Sequence, residues 1–144
     1  MNFAENLLRN LKDSENEIII STAEHLPLGQ EWRISGKELY GSVSRCAKAM
    51  CNLGILKGDV IAAYAPNITE VVVFMLAAAS IGALFTTIPP DFGVEATVDR
   101  ISQTKPKLLL VANAVFYNGK VHDCWTKCLE IVQSKAASFP ICLL

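Results

Sequence analysis

The chain has 144 residues, of which 51% are hydrophobic and 19% are charged, so it has enough apolar side chains for a packed core and does not resemble a disordered segment. Thirteen basic and 14 acidic side chains leave a formal net charge of −1, which excludes a strong electrostatic attraction to nucleic acid or to an anionic membrane surface. A chain of this length corresponds to one domain and is too short for a ligase built from several domains.

The cysteines and the N-terminal segment bear on the cellular compartment. Residues 2–6 have neither the basic nor the apolar segment of a signal peptide, so we expect a cytoplasmic protein. The five cysteines are then expected to be free thiols. One cluster, formed by His122, Cys124 and Cys128, leaves two interpretations open, ordinary packing or part of a metal site. Structural zinc normally takes four ligands, so we favour packing and expect no metal.

The first third of the chain carries clear local signals. We predict an amphipathic helix over 2–12 and two strands, over 17–22 and 31–34, that pair as a hairpin. Ser35 and Glu38 have the spacing of a capping box. The apolar side chains that follow recur at helical spacing, which predicts a long amphipathic helix that ends at the next glycine.

A run of twenty uncharged residues, 71–90, is long enough to span a membrane. Other residues favour a soluble interpretation. Asn67 and Glu70 have the pattern of a helix N-cap, and Gly82 stands where a glycine would end the helix. The β-branched and aromatic residues over 84–88 then predict a buried strand. We therefore predict a helix and a strand rather than a membrane span.

The remaining elements complete an alternating pattern of strands and helices. We predict strands over 60–64 and 107–111, both apolar throughout, and helices over 94–104 and 123–134, with a turn at 118–119. Strands that alternate with helices indicate an α/β domain with a mainly parallel sheet, flanking helices and right-handed crossovers.

Motifs for catalysis and for phosphate binding are absent from the sequence. It contains no G-x-G-x-x-G, no G-x-x-x-x-G-K-[ST] and no G-x-S-x-G. The sequence pairs neither His25 nor His122 with an identifiable nucleophilic side chain, so neither is predicted to act as a general base. Asp91 follows an apolar strand, on the side where α/β proteins place ligands, and it is also compatible with turn or helix-cap chemistry.

Several segments together carry a resemblance to a known family. The string Gly54-Ile-Leu-Lys-Gly-Asp-Val-Ile-Ala-Ala-Tyr-Ala-Pro-Asn67, with the segments 81–84, 90–94 and 117–120, resembles the N-terminal part of adenylate-forming acyl-CoA synthetases, and within them the acetoacetyl-CoA synthetase branch. The resemblance implies an incomplete N-terminal domain over 1–133. It fades over 134–144, a divergent tail that resembles the product of a frameshift, an alternative exon or a premature stop.

The reaction of that family has two steps. ATP and a carboxylate give an acyl-adenylate and pyrophosphate, and the CoA thiol then displaces AMP. The family uses a phosphate loop, magnesium, an acidic motif that holds the AMP ribose and a lysine from a small C-terminal domain. None of these motifs occurs in the 144 residues. The resemblance therefore implies a chain that is inactive by itself, with no catalytic residue and no cofactor of its own, although the family uses ATP, Mg and CoA.

The resemblance also indicates two candidate ligand contacts. Where the acetyl-CoA branch lines the CoA channel with a Gly-Gly-Phe loop, this chain has Pro90, Asp91 and Phe92. Pro90 and Asp91 are thus candidate CoA-channel residues. Three hypotheses follow: an inactive synthetase-like chain, an interaction module that binds a full-length acyl-CoA synthetase, and a stand-alone ligand-binding domain that uses the loop at 89–93.

Overall fold

The computed structural model describes residues 2–24, 26–27, 30–133 and 141–143. Contacts between Cα atoms divide the chain into two compact units, one formed by Met1–Gly58 with Ile68–Leu84 and the other by Asp59–Asn67 with Phe85–Leu144. Both units combine helices and strands, so the predicted α/β class is confirmed.

The first unit contains three helices and one antiparallel strand pair among its described residues. In chain order these are α1 (Phe3–Leu8), β1 (Glu17–Ser21), β2 (Trp32–Ser35), α2 (Gly36–Asn52) and α3 (Thr69–Ser80). Strands β1 and β2 form the predicted hairpin, with a register shift between Glu17 and Ile19. Both α1 and α2 pack against α3. The predicted helix over 2–12 is shorter than expected, because α1 ends at Leu8 and turns follow.

Asn2 joins the first helix to the end of the third. Its side-chain oxygen accepts a hydrogen bond from the Glu5 amide at 3.2 Å, so it is the N-cap of α1. Its amide nitrogen donates to the carbonyls of Ala79 and Ser80, each at 3.0 Å. These carbonyls belong to the last turn of α3, where carbonyls lack regular helical partners, and that of Ala79 also accepts from the Gly82 amide. One side chain therefore binds backbone groups at two helix ends.

The predicted capping box at the start of α2 is confirmed. The Ser35 hydroxyl accepts from the Glu38 amide at 3.3 Å, and the Glu38 carboxylate accepts from the Ser35 amide at 2.8 Å. The hydrogen bonds that Glu38 receives from the backbone and hydroxyl of Ser35 hold its pKa below the ordinary value.

The predicted cap at Asn67 is wrong. Helix α3 begins at Thr69, and its N-cap is Ile68, which makes no side-chain cap hydrogen bond. The hydroxyls of Thr69 and Ser21 share a hydrogen bond of 2.7 Å, so a contact with β1 anchors the first residue of the helix. A local cap pattern cannot anticipate a partner so distant in the sequence.

Gly82 ends α3 as predicted. Its φ of +76° lies in the left-handed region, and its amide donates to the Ala79 carbonyl at 3.1 Å. The Ala83 amide donates to the Ala78 carbonyl at 2.9 Å, which completes a Schellman motif. The uncharged run over 71–90 is thus divided between a helix and a following strand. Among the residues described, no helix is both long and apolar enough to cross a membrane.

The second unit contains the main sheet. Its elements are β3 (Val60–Tyr64), β4 (Leu84–Ile88), α4 (Val94–Thr104), β5 (Leu108–Val111), β6 (Ala114–Tyr117), β7 (Lys120–Asp123), α5 (Trp125–Ile131) and β8 (Ile141–Leu143). Only the first residue of β4, Leu84, is counted with the first unit. The sheet has the order β4-β3-β5-β8, and β5 is parallel to both β3 and β8. The prediction of a mainly parallel sheet is confirmed for these pairs.

The predicted tail contributes a strand to this sheet. Leu109, Leu110 and Val111 of β5 pair with residues 141, 142 and 143. Residues 134–140 lie outside the described residues, so the predicted domain boundary at 133 stays a prediction.

One hydrophobic cluster forms the core of the second unit. Its members are almost completely buried and come from the strands, from α4, from α5 and from the N-cap of α5; they are Ala62, Tyr64, Ile88, Ile101, Leu109, Val111, Cys124, Cys128 and Ile131. Burial of apolar side chains stabilises the folded state by about 25 cal/mol per Å² of apolar surface removed from water. The strands β3 and β5 are therefore fixed by packing as well as by their shared ladder.

We expect Ser35→Ala to lower the free energy of unfolding by about 1 kcal/mol, because it leaves an amide of the first turn of α2 without its acceptor. Ser44→Ala is the matched control, since the Ser44 hydroxyl bonds only to the Tyr40 carbonyl within the same helix, where alanine is the better helix former. Urea unfolding followed by circular dichroism measures both. Equal losses in the two variants would contradict the prediction.

Candidate functional site

A groove of about 560 Å³ lies within the second unit, next to the loop that follows β4. It is lined by Pro90, Asp91, Val115, Tyr117, His122 and Lys127. The two candidate CoA-channel residues, Pro90 and Asp91, are therefore neighbours in one groove, together with four residues that the sequence analysis did not assign to it.

The loop over 89–93 forms one side of the groove. The Tyr64 hydroxyl donates to the Pro90 carbonyl at 3.0 Å and also lies 3.5 Å from the Phe92 carbonyl oxygen. The guanidinium of Arg100 lies 5.9 Å from the centre of the Phe92 ring, within the range of a cation–π interaction. Side chains from β3 and α4 thus contact the loop around Asp91, which is itself exposed.

Burial determines the protonation state of Tyr64. Its side chain has no solvent-exposed area. Desolvation, with smaller effects from Cys124, Cys128 and Asp91, raises the pKa of Tyr64 to about 12. The phenol therefore remains protonated at neutral pH and keeps donating to the loop.

A β-hairpin forms the opposite wall of the groove. Asn118 and Gly119, with φ values of 51° and 71°, form a two-residue turn between β6 and β7, the backbone pattern of a type I′ turn. In the resulting register Val115 is opposite His122, so both side chains lie on one face, and Tyr117 shares that face because side chains alternate along a strand. That face carries the three hairpin residues that line the groove.

The turn at 118–119 agrees with the prediction, whereas the strands on either side of it were not predicted. The signal was present, because Asn-Gly between two short runs containing β-branched and aromatic residues is a strong indication of a hairpin. The helix predicted over 123–134 is found as α5, over Trp125–Ile131, while residue 134 lies outside the described residues.

The three residues of the possible metal cluster lie in different environments. His122 is exposed on β7, and its Nε2 lies 3.3 Å from the Tyr117 carbonyl oxygen. Cys124 and Cys128 are buried in the core, where burial raises the pKa of both thiols. Across the described parts of the chain, no group of three or more potential metal ligands comes together. The burial of the two cysteines in the core fits the packing interpretation. The other histidine, His25, lies outside the described residues.

Lys127 brings a positive charge to the edge of the groove. Its ammonium donates to the Pro90 carbonyl at 3.2 Å. The lining thus combines an apolar surface from Pro90 and Val115 with a carboxylate, an imidazole and an ammonium. This composition suits the binding and orientation of an amphipathic ligand.

The chain is similar to known proteins. A family model described as AMP-binding enzyme matches residues 10–141. The chain belongs to this family. The acetoacetyl-CoA synthetase of Macaca fascicularis is 40% identical over 133 residues, which are 92% of this chain and 19% of the relative. The malonamoyl-CoA synthetase of Penicillium aethiopicum is 40% identical over 136 residues, which are 92% of this chain and 18% of the relative.

A solved structure supports the same assignment. The acetoacetyl-CoA synthetase of Streptomyces lividans matches with a TM-score of 0.90 and 28% identity, over 99% of this chain and 22% of that chain. The fold is therefore that of the N-terminal part of an adenylate-forming enzyme, and the suspected resemblance is confirmed. The chain spans about a fifth of the length of the curated relatives it matches.

We expect Gly119→Ala to destabilise the hairpin by about 1 kcal/mol, because φ of +71° strains a residue with a Cβ although no atom lies within 4 Å of the added carbon. Gly41→Ala is the control, because Gly41 lies inside α2 without a positive φ and the added methyl meets only the end of the Arg45 side chain, at 3.3 Å. Amide hydrogen exchange of β6 and β7 measures the difference. Unchanged exchange in the Gly119 variant would contradict this account of the groove wall.

Proposed function

We propose that these residues form the N-terminal scaffold of an acetoacetyl-CoA synthetase-like enzyme, and that they do not adenylate a carboxylate by themselves. The main support is that the chain matches about a fifth of each relative while its sequence contains no phosphate loop. Adenylation requires positive charge and oriented donors around the phosphates. We place the protein in the cytosol as part of the same proposal.

The acyl group proposed for the complete reaction is a short carboxylate with a second carbonyl at C3. The names of two relatives that share 40% identity with this chain give acetoacetyl and malonamoyl groups. These groups have nearly the same shape and differ by a methyl in place of an amino group. We propose acetoacetate, with ATP and Mg, as the substrate of the enzyme to which this scaffold corresponds.

We expect the 144-residue chain to give no ATP–pyrophosphate exchange above the blank with acetoacetate and magnesium, because the groups that neutralise the phosphates are missing from its sequence. Labelled pyrophosphate measures the reaction, and a full-length acetoacetyl-CoA synthetase is the positive control. Acetoacetate-dependent exchange in a preparation free of host ligases would overturn the proposal of inactivity.

The groove beside the loop at 89–93 is proposed to contact CoA through Pro90 and Asp91. The support is the position of both residues on one groove whose lining has polar groups and an apolar surface. Asp91 offers an acceptor for the amide, amino or hydroxyl groups of an extended ligand. No covalent step is assigned to the groove.

We expect CoA to raise the melting temperature of the chain, because a ligand that binds only the folded state stabilises it by about 2.7 kcal/mol at a hundredfold excess over Kd. Asp91→Trp fills the groove and should abolish this shift. Glu95→Trp is the control, since Glu95 is also an exposed acidic residue but lies on α4 and does not line the groove. A shift with ATP or AMP instead of CoA would favour the stand-alone ligand-binding domain.

A second candidate function is binding to a full-length acyl-CoA synthetase. Strand β4 is at the edge of the sheet formed by the described strands, and Leu84 at its start is 59% exposed. An edge strand with an exposed apolar side chain is a surface on which another chain can pair. This observation favours an interaction module whose partner carries the matching strand.

We expect the chain to co-purify with a full-length acetoacetyl-CoA synthetase at micromolar concentrations, and Leu84→Lys to abolish the association by adding a charge at the edge. Leu56→Lys is the control, because Leu56 is 66% exposed and lies outside every strand. Equal loss in both variants, or no association of the unmodified chain, would end the interaction hypothesis.

A further inference from the structure

We propose that Tyr64 and Lys127 are positioning residues that hold the loop at 89–93 through the Pro90 carbonyl, and that the placement of Asp91 in the groove depends on them. The relation of this loop to CoA rests on the proposed function. The anchoring itself rests on the geometry of the second unit.

The loop has few backbone donors with which to fix itself. Pro89 and Pro90 have no amide hydrogen, so neither can donate to a strand or to a turn. Within the loop, the Phe92 amide donates to the Pro89 carbonyl at 3.2 Å. The Pro90 carbonyl is available as an acceptor for side chains from other elements.

Tyr64 supplies the first donor. It is the last residue of β3, and its side chain lies in the same hydrophobic cluster as Val111 and Cys128. A buried phenol needs a hydrogen-bond acceptor, because an unpaired polar group in a core is costly. The hydroxyl meets that need 3.0 Å from the Pro90 carbonyl oxygen. The end of β3 and the loop are therefore joined by a group that water does not reach.

Lys127 supplies the second donor. Its ammonium lies 3.2 Å from the same carbonyl oxygen and comes from α5. A carbonyl oxygen has two lone pairs, so both donors can be accepted at once. One backbone atom thus connects β3, the loop and α5, and the residue directly after it is Asp91.

The decisive test is hydrogen exchange of the Phe92 amide, which donates to the Pro89 carbonyl, in the 144-residue chain. Tyr64→Phe keeps the ring in the core and removes only the hydroxyl, so exchange at this amide should rise about fivefold to tenfold. Exchange in β5 should stay unchanged. Tyr40→Phe is the matched control, since it removes a phenol hydroxyl from α2 in the first unit and should alter neither the Phe92 amide nor those of β5.

Lys127→Met is an independent variant at a side chain that is partly exposed to solvent. It removes the ammonium from a residue that is only partly buried and keeps an unbranched side chain. Exchange at the Phe92 amide should again rise, with β5 unchanged. Unchanged loop exchange in both variants would overturn the proposal, and so would equal acceleration in the loop and in β5, which is the pattern of a general loss of stability.

Measurement of CoA binding distinguishes a failure of this proposal from a failure of the proposed function. If the unmodified chain binds CoA, Tyr64→Phe should weaken the affinity about tenfold while its melting temperature stays within a few degrees of the unmodified chain. Unchanged affinity together with faster loop exchange would overturn the link between the anchor and the site. If the unmodified chain does not bind CoA, the proposed CoA site fails, and hydrogen exchange alone decides the anchoring.

Discussion

The hydrogen bond from the Tyr64 hydroxyl to the Pro90 carbonyl links the folding of the sheet to the shape of the groove. Pairing of β3 with β5 and packing against the helices bury the tyrosine ring completely. A fully buried hydroxyl must find an acceptor, and here the acceptor is in the loop that carries Asp91. Because burial raises the pKa of Tyr64 to about 12, this donor is retained across the physiological pH range.

The two walls of the groove depend on different kinds of interaction. The loop wall depends on side chains that reach it from β3 and α5, so its conformation follows from tertiary packing. The hairpin wall depends on the Asn118-Gly119 turn, which fixes the register of β6 and β7 locally. A slip of one residue would turn Val115, Tyr117 and His122 away from the groove. The lining therefore requires both a packed core and a correct turn.

The sequence alone was sufficient for elements whose signals are local. The bounds of β3, β4 and α4 agree with the predicted ranges, because their apolar or periodic runs are bounded by glycine or proline. The cap at Asn67 was wrong because Thr69 has a distant partner in Ser21. Asp91 was selected from its position after a strand; it lies on the groove, and its contact with a ligand stays a prediction. The roles of Tyr64 and Lys127 could not be predicted, because they contact Pro90 across 26 and 37 residues of sequence.

Under the proposed function, the contribution of this part of the fold to the reaction is positional rather than electrostatic. Acyl adenylation concentrates negative charge on the transferred phosphate, and enzymes offset it with cations and oriented donors in a site that excludes water. This chain has a net charge of −1 and no phosphate loop, and the Lys127 ammonium in the groove is already bonded to a backbone carbonyl. An anchored groove can orient one substrate, and under the proposed function the charge that accelerates the adenylation step comes from other residues.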